Sequence, residues 1–216
     1  MIGLIEGLLK TRVQARFELL ERSGTPLAMI DDDFIGTQAP IRRILDPDEA
    51  ISTLEGAVPG LVDHRRPEPA ELDWSVIEDG LDVVLPADFK CLAERYPAFE
   101  LDDFLLVSLP DPGREIYRFR AMRDDRDWWD SDDAADLRRP YPAPGGLLPW
   151  GESAEGDRFL WSSIEYGPQQ WRVTVASRNG GWWHYEGGVV QFLAELCDGT
   201  LEPWALPPVS PEVTDC

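Results

Sequence analysis

Histidine and cysteine, the side chains that most often carry metal and nucleophilic chemistry, are nearly missing from this sequence. Cys91, Cys197 and Cys216 are the three thiols, widely spaced and without a CxxC pair, which argues for reduced cysteines and against a disulfide scaffold or zinc site. His64 and His184 stand alone, with no HExxH and no paired Cys ligands. His184 alternates within an apolar run beside Trp182 and Trp183 and reads as an ordinary sheet position. There is no P-loop and no GxGxxG. Gly151-Glu152-Ser153-Ala154-Glu155 approaches the GxSxG elbow but lacks the closing glycine that its sharp turn favours. Asp31-Asp32-Asp33 could ligate a hard cation, yet neighbouring Asp side chains in a turn usually face water. No activated nucleophile, base and electrophile converge, so the expectation is a protein that is not an enzyme and holds no metal or cofactor. Long apolar runs are missing too: none approaches the roughly 18–20 residues that span a bilayer. The opening MIGLIEGLLK has no positive leading region and is broken by Glu6, unlike a signal peptide. These absences predict a soluble, cytoplasmic chain without a membrane partner.

Bases are also scarce. Twenty Lys and Arg face 41 Asp and Glu, for a net charge of −21. The imbalance is uneven: residues 1–66 carry eleven acids and eight bases, and residues 67–216 carry thirty acids and twelve bases. Such a field repels phosphate backbones, which disfavours direct nucleic-acid binding. It speeds encounter with a basic protein by roughly 10-fold or more at low salt. Acidity also serves simple solubility, and charge alone does not separate the two.

What is present is ample core material. Hydrophobic residues make up 43% of the 216, including nine Trp, eight Phe and five Tyr, enough for one substantial domain plus an extension. Residues 2–22 place Ile5, Leu8, Leu9, Val13, Phe17 and Leu20 at helical spacing, and Ser23-Gly24-Thr25-Pro26 stops them. Asp46 reads as an N-cap with Pro47 at the first helical position and Glu49 completing a capping box, and Gly56 as the stop. Pro59-Gly60 through Pro67-Glu68-Pro69 reads as a linker exposing His64, Arg65 and Arg66. Two short helices are predicted at 69–79 and 86–96, a buried strand at 104–109 and a helix around Ile116 to Met122. Strands follow at 157–164, 171–177 and 182–185, with Asn179-Gly180-Gly181 as a hairpin turn. A helix spans 189–197, and the Pro-rich end looks loose. The expected fold class is α+β, a small antiparallel sheet covered by helices. The expected organisation is a helical N-terminal extension over 1–66, the α+β domain over 67–206 and a flexible tail over 207–216.

Residues 124–136, DDRDWWDSDDAAD, hold seven Asp around two Trp. Repulsion at this density favours an extended, solvated segment. Neighbouring residues of a strand point to opposite sides, so Trp128 and Trp129 do not share one core, and the same caution holds for Trp182 and Trp183. An exposed Trp among acids suits a basic surface. The candidate partner contacts are therefore Asp124, Asp125, Asp127, Trp128, Trp129, Asp130, Asp132 and Asp133.

Four stretches, LPADFKCLAERYPAFELDDFLLV, YPAPGGLLPWGESAEGDRFLW, WRVTVASR and VVQFLAEL, in this order over about residues 69–200, resemble the SUKH superfamily. These are bacterial immunity proteins related to fungal cell-wall-synthesis regulators of the SMI/KNR type. The resemblance rests on Leu85-Pro86 opening a helix, Gly145-Gly146, Pro149-Trp150-Gly151, Gly156-Asp157 and Trp161, with Trp171 and Phe192-Leu193 beyond. Physics accounts for these as fold-defining: the glycines free the backbone, Pro149 fixes the entry to Trp150, and the Trp pair fills a sheet–helix core. The resemblance implies a non-enzymatic protein that neutralises a cognate polymorphic toxin, a basic nuclease or deaminase domain, by occluding its active site. The alternative it implies is an intracellular regulatory or scaffold protein of the SMI/KNR type.

Overall fold

The computed structural model describes residues 34–124, 139–162, 164 and 166–215. Its fold is α+β, as the alternation of β-rich and helical stretches predicts. The strands are β1 (Phe34–Gln38), β2 (Phe99–Leu101), β3 (Leu105–Val107), β4 (Leu148–Ser153), β5 (Arg158–Ser162), β6 (Arg172–Ala176), β7 (Trp182–Tyr185) and β8 (Val213–Asp215). The helices are α1 (Pro47–Ala57), α2 (Trp74–Leu81), α3 (Ala87–Arg95), α4 (Tyr117–Arg123) and α5 (Val189–Asp198). Short 3₁₀ turns occupy Pro59–His64 and Pro168–Gln170.

The sheet is larger than expected and mixed. Its eight strands run in the order β1-β7-β6-β5-β4-β3-β2-β8, an antiparallel meander except that β1 lies parallel to β7. The eighth strand comes from the segment expected to be a flexible tail. Val213 to Asp215 pairs with β2, Val209 is buried, and the Asp102 carboxylate accepts the Ser210 N–H at 3.0 Å. Four prolines after residue 202 masked this short strand from a reading of periodicity.

The break expected near residue 67 does not mark where the folded unit begins. Residues 34–66 supply β1 and α1, and α1 packs against both α5 and α3, with Ala50, Ile51 and Leu54 buried. Asp46 caps α1 by accepting the Glu49 N–H at 2.8 Å, as its spacing predicts, but the helix continues past Gly56 to Ala57. The basic stretch after it is tied down: the Arg66 N–H donates to the Arg95 carbonyl at 2.8 Å. Gly80 likewise lies inside α2, facing the Ile116 side chain, and left-handed Asp82 (φ 54°) ends that helix. The amphipathic segment 2–22 lies outside the described residues.

One face of the sheet, carrying Phe159, Trp161, Val173, Val175, Trp183 and Tyr185, joins α1, α3 and α5 in the main core. The opposite face holds a smaller cluster of Leu147, Leu160, Ala176 and Trp182. Both Trp182 and Trp183 are buried, correcting the expectation that one of them faces solvent. Adjacent residues do point to opposite faces, but here the second face carries an apolar cluster of its own, which buries Trp182.

Candidate functional site

The residues read as fold-defining converge on the sheet–helix core. Trp150 and Trp161 are fully buried with centroids 6.5 Å apart. Trp161 meets Phe89 edge-on at 4.8 Å, and Trp150 meets Phe192 at 6.0 Å; such aromatic pairs contribute about 0.5–1.5 kcal/mol beyond area burial. Buried Leu85 and Pro86 lead into α3, which carries Phe89. Pro149, opposite Leu160, precedes a register shift that ends at Gly151, whose added Cβ would lie 3.0 Å from the Leu106 carbonyl oxygen. Gly156, at φ 101°, turns β4 into β5. The same turn is locked by buried Asp157, which accepts the Ser153 hydroxyl and, at 2.9 Å, the Arg178 N–H. Ser153, the residue of the near-miss elbow, is thus spent on its own hairpin.

Gly145 takes a left-handed φ of 69°, and Gly146 is enclosed by backbone. A Cβ at Gly146 would lie 2.7, 2.8 and 2.8 Å from Ala143 O, Pro140 O and Tyr141 N, atoms fixed by the turn's own hydrogen bonds. Gly146→Ala is therefore expected to lower stability by about 2 kcal/mol, read as a lower urea midpoint at unchanged slope.

Of the expected partner contacts, Asp124 is described: it is exposed and forms the C-cap of α4. Asp125, Asp127, Trp128, Trp129, Asp130, Asp132 and Asp133 lie outside the described residues. The two ends of that segment are rooted beside α2. Ile116 packs over Gly80, and the Tyr141 hydroxyl donates to the Asp82 carbonyl at 2.6 Å. Exposed Asp79 and Asp82 therefore stand beside the start of α4 and the return of the chain at Tyr141. Tyr117, 71% exposed, and Val84, 55% exposed, add apolar surface to the same part of the chain.

The structure brings together a second constellation that no sequence pattern announced. The first turns of α3 and α5 meet at a cleft of about 50 Å³ lined by Arg43, Asp88, Trp161, Gln169, Trp171 and Gly188, among others. A shallower groove of about 430 Å³ shares Arg43 and Gln169 and continues past Pro40, Arg172 and Glu186. Asp88 reaches from α3 to accept the Val190 N–H of α5 at 3.2 Å. Arg43 donates to Glu186 O at 3.2 Å and to the Trp171 carbonyl. Burial pushes the Asp88 carboxyl above the ordinary carboxylate range, against the pull of the Val190 N–H and of Arg43. Burial also lowers the Arg43 pKa, and Asp88 is the first of the charges opposing that shift. Helix N-termini and a guanidinium favour an anion, and Asp88 already supplies one. The local signals were an acid in the first turn of α3 and a Gly-Gly pair ahead of α5; their meeting across 102 residues was not legible.

His184 occupies the sheet position its spacing predicts, on the smaller face, with Nδ1 2.8 Å from Thr174 Oγ1. Among the described residues no group of three His, Cys, Asp or Glu side chains is placed to hold a metal ion, and no helix is long and apolar enough to cross a membrane. Comparison with protein-family models, with curated proteins and with solved structures returns no match.

Proposed function

We propose that this chain is a SUKH-type immunity protein that binds a basic toxin domain, a nuclease or deaminase, in the cytoplasm and blocks its active site. The observation that carries the reading is the charge: residues 67–216 hold thirty acids against twelve bases. The carboxylates of Asp79, Asp82 and Asp124 are exposed among Arg114, Arg120 and Arg139, so the attraction for a cationic cleft comes from the acidic excess of the domain as a whole. The aromatic core around Trp150 and Trp161 keeps the frame rigid, and the acidic segment with its Trp pair supplies the contacts.

Co-expression with a candidate toxin domain tests this directly. Growth is expected to be rescued and a one-to-one complex recovered; no rescue and no complex would leave the SMI/KNR-type regulatory role as the better reading. Within the complex, reversing Asp130, Asp132 and Asp133 to Lys is expected to slow association about tenfold or more at low salt and to flatten its salt dependence. An unchanged association rate would show the segment to be solvated surface only.

A further inference from the structure

Asn179 is the sole asparagine of the 216 residues, and Gly180 follows it directly. Both sit at the tip of the hairpin that joins β6 to β7, where Gly180 takes a left-handed φ of 89°. Two hydrogen bonds frame this tip: the Ser177 N–H donates to Gly181 O at 2.9 Å, and the Gly180 N–H donates to Ser177 O at 3.0 Å. The Asn179 side chain is exposed, and its carboxamide has no hydrogen-bond partner among the described residues. A carboxamide left free in this way can swing back toward the next backbone nitrogen. Glycine in that next position puts no Cβ beside the nitrogen to shield it.

We propose that Asn179 is a site of spontaneous deamidation, and that its isoaspartyl product loosens the β6–β7 hairpin. The Gly180 nitrogen attacks Asn179 Cγ and forms a cyclic imide. The side-chain nitrogen leaves as ammonia, taking the proton that the Gly180 nitrogen gives up. Solvent water then opens the imide. Opening at the former side-chain carbonyl gives aspartate. Opening at the main-chain carbonyl leaves the backbone running through Cβ and Cγ, which is isoaspartate. The hairpin sets the pace, because the Gly180 N–H is engaged with Ser177 O until the tip opens. Exposed loop tips open at low free energy. The two Asp-Gly pairs of the described residues are held within or against helices. Asp79 and Gly80 lie inside α2, and the Asp198 carboxylate at the end of α5 accepts the Thr200 N–H at 2.8 Å.

The two products differ in consequence. Aspartate keeps the backbone and adds only a charge beside Arg178, which pairs with Glu155 at 3.1 Å. Isoaspartate lengthens the main chain inside a tip already closed by its two hydrogen bonds. Gly181 has little space to absorb the change, since a Cβ there would lie 2.8 Å from Ile35 Cδ1 and 2.9 Å from Ala205 Cβ. Buried Trp182 comes next in the chain. The tip shares no residue with the acidic segment, so this chemistry is independent of a basic partner.

Incubation of the full chain for several weeks at mildly alkaline pH tests it, read by peptide mass spectrometry and by methyl labelling with an isoaspartyl methyltransferase. The peptide holding residue 179 is expected to gain the mass difference between an amide and an acid, and to accept the label. Conversion should quicken as pH rises, because the attacking nitrogen must lose its proton. It should be faster in urea, where the tip is open. Asn179→Gln should remove both signals, since the longer side chain closes its ring far more slowly. Once separated, the isoaspartyl form is expected to unfold at a lower urea concentration than the parent, and Asn179→Asp close to the parent's. A folded chain whose residue 179 stays intact while the urea-unfolded chain converts overturns the inference. So does a label confined to Asp79 or Asp198, or an isoaspartyl form as stable as Asn179→Asp.

Discussion

Asp88→Ala is expected to cost about 2 kcal/mol of stability. The side chain sits in the first turn of α3, but its carboxylate works on α5. Gly188, the N-cap of α5, has no side chain with which to cap, and Asp88 accepts the Val190 N–H in its place. Loss of such a cap costs about 1 kcal/mol. A smaller share comes from Arg43. Its guanidinium is half-buried, its hydrogen bonds go to neutral carbonyls, and the acid that most opposes its desolvation is Asp88. Arg43 is half-exposed and makes no hydrogen bond to Asp88, so solvent screens this loss to about 0.5 kcal/mol. Asp88→Asn keeps an acceptor for Val190 and should recover most of the loss. Gly188→Ala should resemble Asp88→Ala, since its Cβ would overlap the Asp88 carboxylate and displace it. Urea unfolding of the three variants at neutral pH measures all of this. An Asp88→Ala midpoint equal to the parent's would mean that neither α5 nor Arg43 depends on the carboxylate.

How far the fold could be read in advance tracks the range of the interaction that builds each part. Asp46 and Pro47 announce α1 because a cap and a fixed φ act within one turn. The run Trp182–Tyr185 and the left-handed Gly180 (φ 89°) before it announce β7 for the same reason. Misreadings cluster where distant segments decide. β1 is a short uncharged run that becomes a strand through pairing with β7, roughly 150 residues later in the chain. β8 is held by Asp102 and Asp103 of the β2–β3 turn, and its prolines argue locally for a loose end. Trp182 is buried because the second sheet face is apolar, which depends on Leu147, Leu160 and Ala176 converging from three other places.

The candidate site divides in the same way. Trp150, Gly146 and Asp157 were legible as scaffold because a glycine turn and a Trp-bearing strand carry local signatures, and the structure puts them in the core and its turns. The acidic character was legible from composition. The Arg43–Asp88 meeting was not, because each residue alone looks like a surface charge near a helix start.

A part of the pH dependence of stability follows from His184, a half-buried ionisable group on the sheet. His184 Nδ1 lies 2.8 Å from the Thr174 hydroxyl, which is in turn 2.9 Å from the Ser162 hydroxyl. Phe34 covers the ring at a centroid distance of 5.0 Å. A second proton would charge the ring in this setting. Burial and, after it, Arg172 hold the pKa down to about 4, with Glu186 opposing. The unfolded chain takes up that proton near pH 6.5, and the folded chain does not until about pH 4. Stability from this residue is therefore complete above pH 6.5 and falls as pH drops toward 4, by about 3 kcal/mol in all. Two effects run the other way: Asp88, raised above its unfolded value, takes up its proton in the folded state first, and the repulsion within a chain of charge −21 eases as carboxylates are neutralised. The total curve accordingly conceals the histidine, and the difference between two proteins reveals it. His184→Gln keeps a hydrogen bond to Thr174 without a titrating group. Relative to it, the parent should lose about 3 kcal/mol between pH 7 and pH 4, measured by urea unfolding at each pH. Parallel curves for the two proteins would show that His184 is no more buried when folded than when unfolded.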